Sequence, residues 1–145
     1  MALFFVDGPL ARCDTIEGLT MMHAFKLYTG PDNASHVLEG TIGEHITTQA
    51  ASIRFQESPP HSSFDWHDAP HIQYVITLAG TLEFVTRDGE TFILRPGDVL
   101  VAKDNIGSGH KWRLIDDQPW RRVYVALQAG ASDLFTPKKS ASVSQ

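Results

Sequence analysis

An all-β sandwich or barrel is the fold class the sequence predicts, and three observations carry that expectation. Apolar and polar residues alternate with period two through most of the chain, which places every second side chain on one face of a strand. Turn signals recur at intervals of about ten residues, leaving room for short strands and little else. Helical periodicity is confined to one weak stretch, residues 10–19.

The elements follow in order. Residues 21–28 form the first predicted strand, Gly30-Pro31-Asp32-Asn33 a strong turn, and 35–42 the second strand. A third is expected at 46–55, with an alanine-rich start. Residues 56–70 hold Pro59, Pro60 and Pro70 and are expected to be a long loop. The strand at 73–78 has Gln73, Val75 and Thr77 on one side and Tyr74, Ile76 and Leu78 on the other. Both faces can be buried, so it is expected at the centre of a sheet. Strands at 81–86 and 90–94 flank Asp88-Gly89, a dipeptide that supplies the positive φ of a type I′ hairpin turn. Pro96-Gly97-Asp98 turns the chain into 99–102, and Gly107-Ser108-Gly109 bends it into 110–114. The turn Asp116-Asp117-Gln118-Pro119 precedes the last strand, 120–127. There Trp120, Arg122, Tyr124 and Ala126 oppose Arg121, Val123, Val125 and Leu127. An apolar outer face of that kind suits a homodimer, and core packing explains it equally well.

A chain of 145 residues fits one domain. The expected organisation is an N-terminal extension at 1–20, a barrel domain at 21–130, and a flexible Ser-, Lys-, Ala- and Pro-containing tail at 131–145. The single cysteine, Cys13, allows no intrachain disulfide, which fits a reducing compartment or indifference to redox state. Net charge is −5, and no basic face is evident, so nucleic acid is not an expected partner. The apolar start, Met1-Ala-Leu-Phe-Phe-Val6, is interrupted by Asp7 and Gly8 and has no basic residues before it. It reads as neither signal peptide nor membrane span, and a cytoplasmic protein is the expectation.

The histidines carry the chemistry. His61, His67 and His71 lie at the entry to the 73–78 strand, and His110 opens a later one. His67, His71 and Gln73 are separated by even steps, so an extended segment would project them to one side. Neutral imidazole is the commonest protein metal ligand. Two or three histidines with an oxygen donor suit Fe, Mn, Ni, Zn or Co. Spacing alone leaves the other reading open, in which these are loop histidines beside a dry core.

At these residues the chain resembles the cupin superfamily. Trp66-His67-Asp68-Ala69-Pro70-His71-Ile72-Gln73 through Gly80 is similar to the first cupin motif, and Arg95-Pro96-Gly97-Asp98-Val99 through His110 to the second. The resemblance implies a cupin-type double-stranded β-helix, a jelly-roll barrel, with a divalent transition metal in its mouth. His67 matches the first motif histidine, and His110 the last ligand. Ala69 stands at the second histidine and Gln73 at the glutamate. The turn before His110 is two residues longer than the common pattern, Asn105 replaces a proline, and Leu114 replaces the final asparagine. The candidate metal set is therefore His67, His71, Gln73 and His110, with His71 covering for Ala69.

Three functions fit the resemblance. One is a metal-dependent enzyme of oxygenase or isomerase type acting on a small organic molecule. Another is a metal-free cupin that binds a small ligand as a sensor or storage module. The third is a structural dimer whose barrel is filled by side chains. Tyr74, Trp112, Trp120 and Tyr124 are each expected in the core, although they could line a pocket. Arg113 and Arg122 could hold an anionic ligand, but a solvated outer face is the expectation for both. Asp98 and Asp104 are expected to serve turns, and His36 and His45 to be exposed.

Overall fold

The computed structural model describes residues 21–139. The readings made for 1–20, including Cys13, the apolar start and the weak helical stretch, lie outside the described residues, as do 140–145. Among the described residues there are eleven strands and no helix. They are β1 (Met22–Thr29), β2 (Ser35–Ile42), β3 (Ala50–Ser58), β4 (Ser63–His67), β5 (Gln73–Ala79), β6 (Leu82–Thr86), β7 (Thr91–Leu94), β8 (Val99–Lys103), β9 (His110–Leu114), β10 (Trp120–Leu127) and β11 (Phe135–Pro137).

Two sheets face each other. One has seven strands in the order β11-β2-β1-β8-β5-β10-β3, and the other four in the order β4-β9-β6-β7. From β3 to β10 the chain changes sheet at every step except the β6–β7 hairpin, which is the jelly-roll arrangement expected from the sequence. Strand β5 lies between β8 and β10, central as its two-faced apolar pattern requires. Neighbours pair antiparallel except β1 with β8.

The main core fills the space between the sheets. Leu27, Val75 and Leu100 from the large sheet meet Leu82, Phe84, Phe92, Leu94 and Leu114 from the small one. Burying a side chain of this size is worth about 1.5–3 kcal/mol. A second cluster, with Ala24, Tyr74, Val99 and Val101, lies on the outer face of the large sheet, where Leu134 and Phe135 cover part of it. The Tyr74 hydroxyl donates to the Asp133 carbonyl at 2.6 Å and ties this covering segment down. Farther along the same face, Ile53, Phe55 and Leu78 are exposed.

Three expectations need correction. The proline-rich loop contains a strand: Ser63–His67 pairs with β9, with His67 opposite His110. The third strand begins later than expected, at Ala50, and runs to Ser58. The tail contributes β11, where Phe135 pairs with Ile42 of β2. Pro137, which lacks an N–H, is tolerated because β11 is an edge strand. No helix among the described residues is long and apolar enough to cross a membrane.

Candidate functional site

Between the sheets, beyond the packed core, the barrel opens into a cavity of about 470 Å³. That is within the usual range for small-molecule sites. Strands of both sheets build its walls. Pleating turns Gln73 and Val75 of β5, and Trp120, Arg122 and Tyr124 of β10, toward the small sheet. From the small sheet come His67, His110 and Trp112. The edge strand β3 closes one side with Arg54, Gln56 and Ser58.

His67 and His110 are cross-strand partners, and their rings stand 4.4 Å apart in an edge-on arrangement. Gly109 makes this approach possible. Its φ of +76° suits glycine, and a Cβ there would lie 2.4 Å from the His67 carbonyl oxygen. Each ring has one nitrogen already engaged. His67 Nδ1 lies 2.7 Å from the Asp65 carbonyl oxygen, which only accepts, so Nδ1 carries the proton. His110 Nδ1 donates in the same way to Asp104 Oδ2 at 2.6 Å. With the rings neutral, Nε2 is left as the lone-pair atom of both. Burial pulls the His67 pKa below its ordinary value, against the Asp65 carbonyl, and nearby His110 adds to the lowering. The neutral, ligating form is thereby favoured.

Asp104 is fully buried, and the same Oδ2 accepts a second short bond, 2.6 Å, from the Ser35 hydroxyl. The expectation that it serves a turn is therefore corrected. Asp104 is a buried acceptor orienting His110, of the kind that fixes imidazole ligands in metal sites. Asp98 does serve its turn, accepting from the Arg95 N–H at 2.9 Å. Asn105, at the position of the usual proline, donates from Nδ2 to the Ala69 carbonyl at 2.9 Å. The Ala69 N–H in turn donates to the Asp104 carbonyl at 3.0 Å. These two bonds clamp together the segments that carry the two motif-like stretches.

The four candidate metal residues are not placed alike. His67, Gln73 and His110 line the cavity. His71 is exposed and does not line that cavity, but borders an adjoining pocket that shares Arg54, Pro70, Gln73 and Tyr124 with it. The even-step argument fails because 68–72 are not extended. The chain leaves β4 in the small sheet and enters β5 in the large one, so the side-chain parity is broken. Gln73 is buried, and its amide makes no hydrogen bond among the described residues. Ala69 is also buried and lines the cavity, so the second motif histidine is replaced by an apolar wall.

Several aromatics expected in the core, with a pocket wall as the alternative, do form the cavity wall. Trp112 meets Trp120 edge-on at 4.6 Å, and both line the space, as does Tyr124. Tyr74 lies in the outer cluster. Arg113 is exposed and paired with Glu83 at 2.7 Å, as expected of an outer-face arginine. Arg122 is not: it is only 3% exposed and faces the cavity. Alternation correctly put it on the face of Trp120 and Tyr124, but not on which side of the sheet that face lies.

One cluster was missed. His36 Nε2 lies 2.9 Å from Asp32 Oδ2, and its Nδ1 3.6 Å from Asp88 Oδ2. The three residues present ligand-type atoms within 4.8 Å of one another. Asp32 and Asp88 read in sequence as turn residues, and only the folded sheet brings them to one histidine.

The facing sheets, the cavity between them and the paired imidazoles that line it define an all-β fold of the double-stranded β-helix type. The Cupin domain family matches residues 54–126, half of the chain, and the chain belongs to that family. Phomopsin biosynthesis cluster proteins C′ and D of Diaporthe leptostromiformis are each 33% identical over 78 residues, 53% of this chain and 40% of theirs. The matched stretch thus spans well under two thirds of these curated relatives. Oryzines biosynthesis cluster protein J of Aspergillus oryzae is 24% identical over 133 residues, 86% of this chain and 73% of that protein. Among solved structures, a conserved protein with a double-stranded β-helix domain from Klebsiella pneumoniae is 20% identical with a TM-score of 0.44, covering 70% of this chain and 84% of its own. A sugar phosphate isomerase from a cupin superfamily, from Silicibacter pomeroyi, is 15% identical with a TM-score of 0.43, covering 85% and 94%.

Proposed function

We propose that this cupin binds a small organic molecule in its barrel cavity beside a divalent transition-metal ion held by His67, His110 and Gln73. The carrying observation is the shared state of the two imidazoles: each has Nδ1 tied to an acceptor, leaving both Nε2 lone pairs for one ion. The donor set fits such an ion. Two neutral imidazoles and an amide oxygen suit a borderline metal with open positions. When bound, the ion would act as a Lewis acid on a carbonyl or hydroxyl oxygen of the ligand. The protein's own part is mechanical and electrostatic. Asp104 and the Asp65 carbonyl hold the rings in one tautomer. The Gln73 amide orients a polar ligand atom, and Trp112, Trp120 and Phe84 exclude water from the ligand body. That three curated relatives are named for biosynthesis clusters supports a small-molecule role.

Cobalt(II) titration of chelator-treated, untagged protein tests this reading through the d–d absorption bands. One equivalent should bind. His67→Ala and His110→Ala should each weaken binding by more than about a hundredfold, beyond the range typical of losing an outer-shell partner. His71→Ala should leave binding unchanged. Stoichiometric binding abolished instead by His36→Ala would assign the metal to the Asp32–His36–Asp88 cluster and end the proposal.

A further inference from the structure

We propose that the cavity is built for an organic carboxylate and that Arg122 receives it. This deepens the reading of the cavity as a ligand site but does not depend on the metal.

Charge is the first argument. The chain carries 17 acidic residues against 12 lysines and arginines. Yet the cavity lining includes Arg54 and Arg122 and not one aspartate or glutamate. The family's glutamate position is filled here by uncharged Gln73, which removes the one acid the resemblance would have supplied. The nearest buried acid, Asp104, stands behind His110 and is committed to it.

Donor accounting for Arg122 is the second. Its Nε–H donates to the Tyr124 hydroxyl at 3.0 Å. Its Nη1 donates to Ser58 Oγ at 2.8 Å and to the Trp120 carbonyl at 3.1 Å. A guanidinium has five N–H donors, so the Nη2 pair is left without a partner among the described residues. Arg122 is only 3% exposed and forms no ion pair among the described residues. Buried charges are normally paired, because desolvating an isolated one is costly. The missing partner is an anion entering the cavity.

Geometry is the third. The Arg122 guanidinium lies 3.9 Å over the Trp120 ring, which fixes the plane of its donors. Arg54 stands 4.3 Å over the Tyr124 ring and adds a second positive charge at the same end. Between this end and the imidazoles the wall is aromatic: Trp112 against Trp120, and Phe84 5.8 Å from His110. On β9, His110 and Trp112 are two residues apart, about 7 Å along the strand. A ligand with a carboxylate at the arginines and a flat apolar body across the tryptophans fits this sequence of surfaces. Two open donors at the end of an apolar channel match a carboxylate better than a phosphate, which presents more oxygens needing partners.

The test uses the full chain, chelator-treated, with binding read by tryptophan fluorescence and calorimetry. Benzoate should bind saturably. Benzamide, its uncharged counterpart, should bind at least about tenfold more weakly, as expected when an ion pair with the guanidinium becomes a hydrogen bond to a neutral carbonyl. Arg122→Gln should weaken benzoate at least about tenfold and benzamide by less, so that the preference for the anion shrinks. If Arg122→Gln does not fold by circular dichroism, Arg122→Lys decides: it keeps the charge, loses the fork, and should still weaken benzoate. Equal binding of benzoate and benzamide, no saturable benzoate binding, unaltered affinity in the deciding variant, or tighter binding of inorganic phosphate than of benzoate each overturns the proposal. Cobalt(II) uptake by Arg122→Gln, or by Arg122→Lys where that variant decides, should match the wild type, so failure of the anion subsite and failure of the metal site are read separately.

Discussion

Replacing Asp104 with alanine removes the acceptor that holds His110 in place. Asp104 is fully buried, and its Oδ2 accepts from both Ser35 Oγ and His110 Nδ1 at 2.6 Å. Alanine would strand both donors in a buried site, at about 1–3 kcal/mol each. Part of that loss is offset, because Asp104 Oδ1 is itself buried without a partner among the described residues and its deletion removes that cost. The net expectation is a loss of about 2–4 kcal/mol of stability, read from urea unfolding at pH 7 with the m-value unchanged. Cobalt(II) affinity should fall by about 10–100-fold, the usual cost of losing a partner that orients a ligating imidazole. Asp104→Asn keeps an acceptor oxygen and should recover a large share of both. A stability loss below about 0.5 kcal/mol for Asp104→Ala would refute the reasoning, since it lies below the smallest cost of one stranded buried donor.

Stability should also depend on pH through two outer-surface histidines. Burial pulls the His23 pKa down, but its hydrogen bonds to Asp98 and Glu39 outweigh that and raise it; the Asp32 hydrogen bond raises that of His36. A raised folded pKa gives stability that is full below the unfolded value of 6.5 and lost as pH rises through the folded one. The urea midpoint should therefore fall as pH rises above 6.5 and flatten in a His23→Gln/His36→Gln variant; the same slope in that variant would disprove it. Gly109→Ala and Gly89→Ala both place a side chain at positive φ, but only at Gly109 does backbone stand in the way, 2.4 Å from the added Cβ. The first should cost more than about 2 kcal/mol and the second about 1 kcal/mol; equal costs in urea unfolding would mean that the His67–Gly109 approach imposes no constraint.

Strands bounded by unambiguous turns were legible to the residue. His110–Leu114 and Trp120–Leu127 stand where glycines and the Asp116–Pro119 turn place them. Strand β4 was obscured because prolines before and after it outweigh the alternation of Phe64 and Trp66. The cavity members His67, Gln73 and His110 were legible from motif positions and residue chemistry. Asp104, Ser35 and Arg122 were not. Ser35 and Asp104 are 69 residues apart and meet only because β1 brings β2 and β8 together in one sheet. For Arg122, parity gives a face but not whether that face looks toward solvent or the opposite sheet. His71 shows the same limit, because parity has no meaning across a change of sheet.

Among the described residues, strand β3 has a hydrogen-bonded neighbour on one side only, β10. Its alternate residues Arg54, Gln56 and Ser58 nonetheless form a wall of the cavity, while Ile53 and Phe55 are 62% and 74% exposed on the outside. Edge strands with little burial are the first parts of a sheet to open. Among the described residues, the β3 wall is therefore the side of the cavity best placed to open. Local fraying of β3 would release Arg122's partner Ser58 and uncover the arginine end without disturbing the imidazoles across the barrel. Amide exchange along this strand would then set an upper limit on how long a ligand stays.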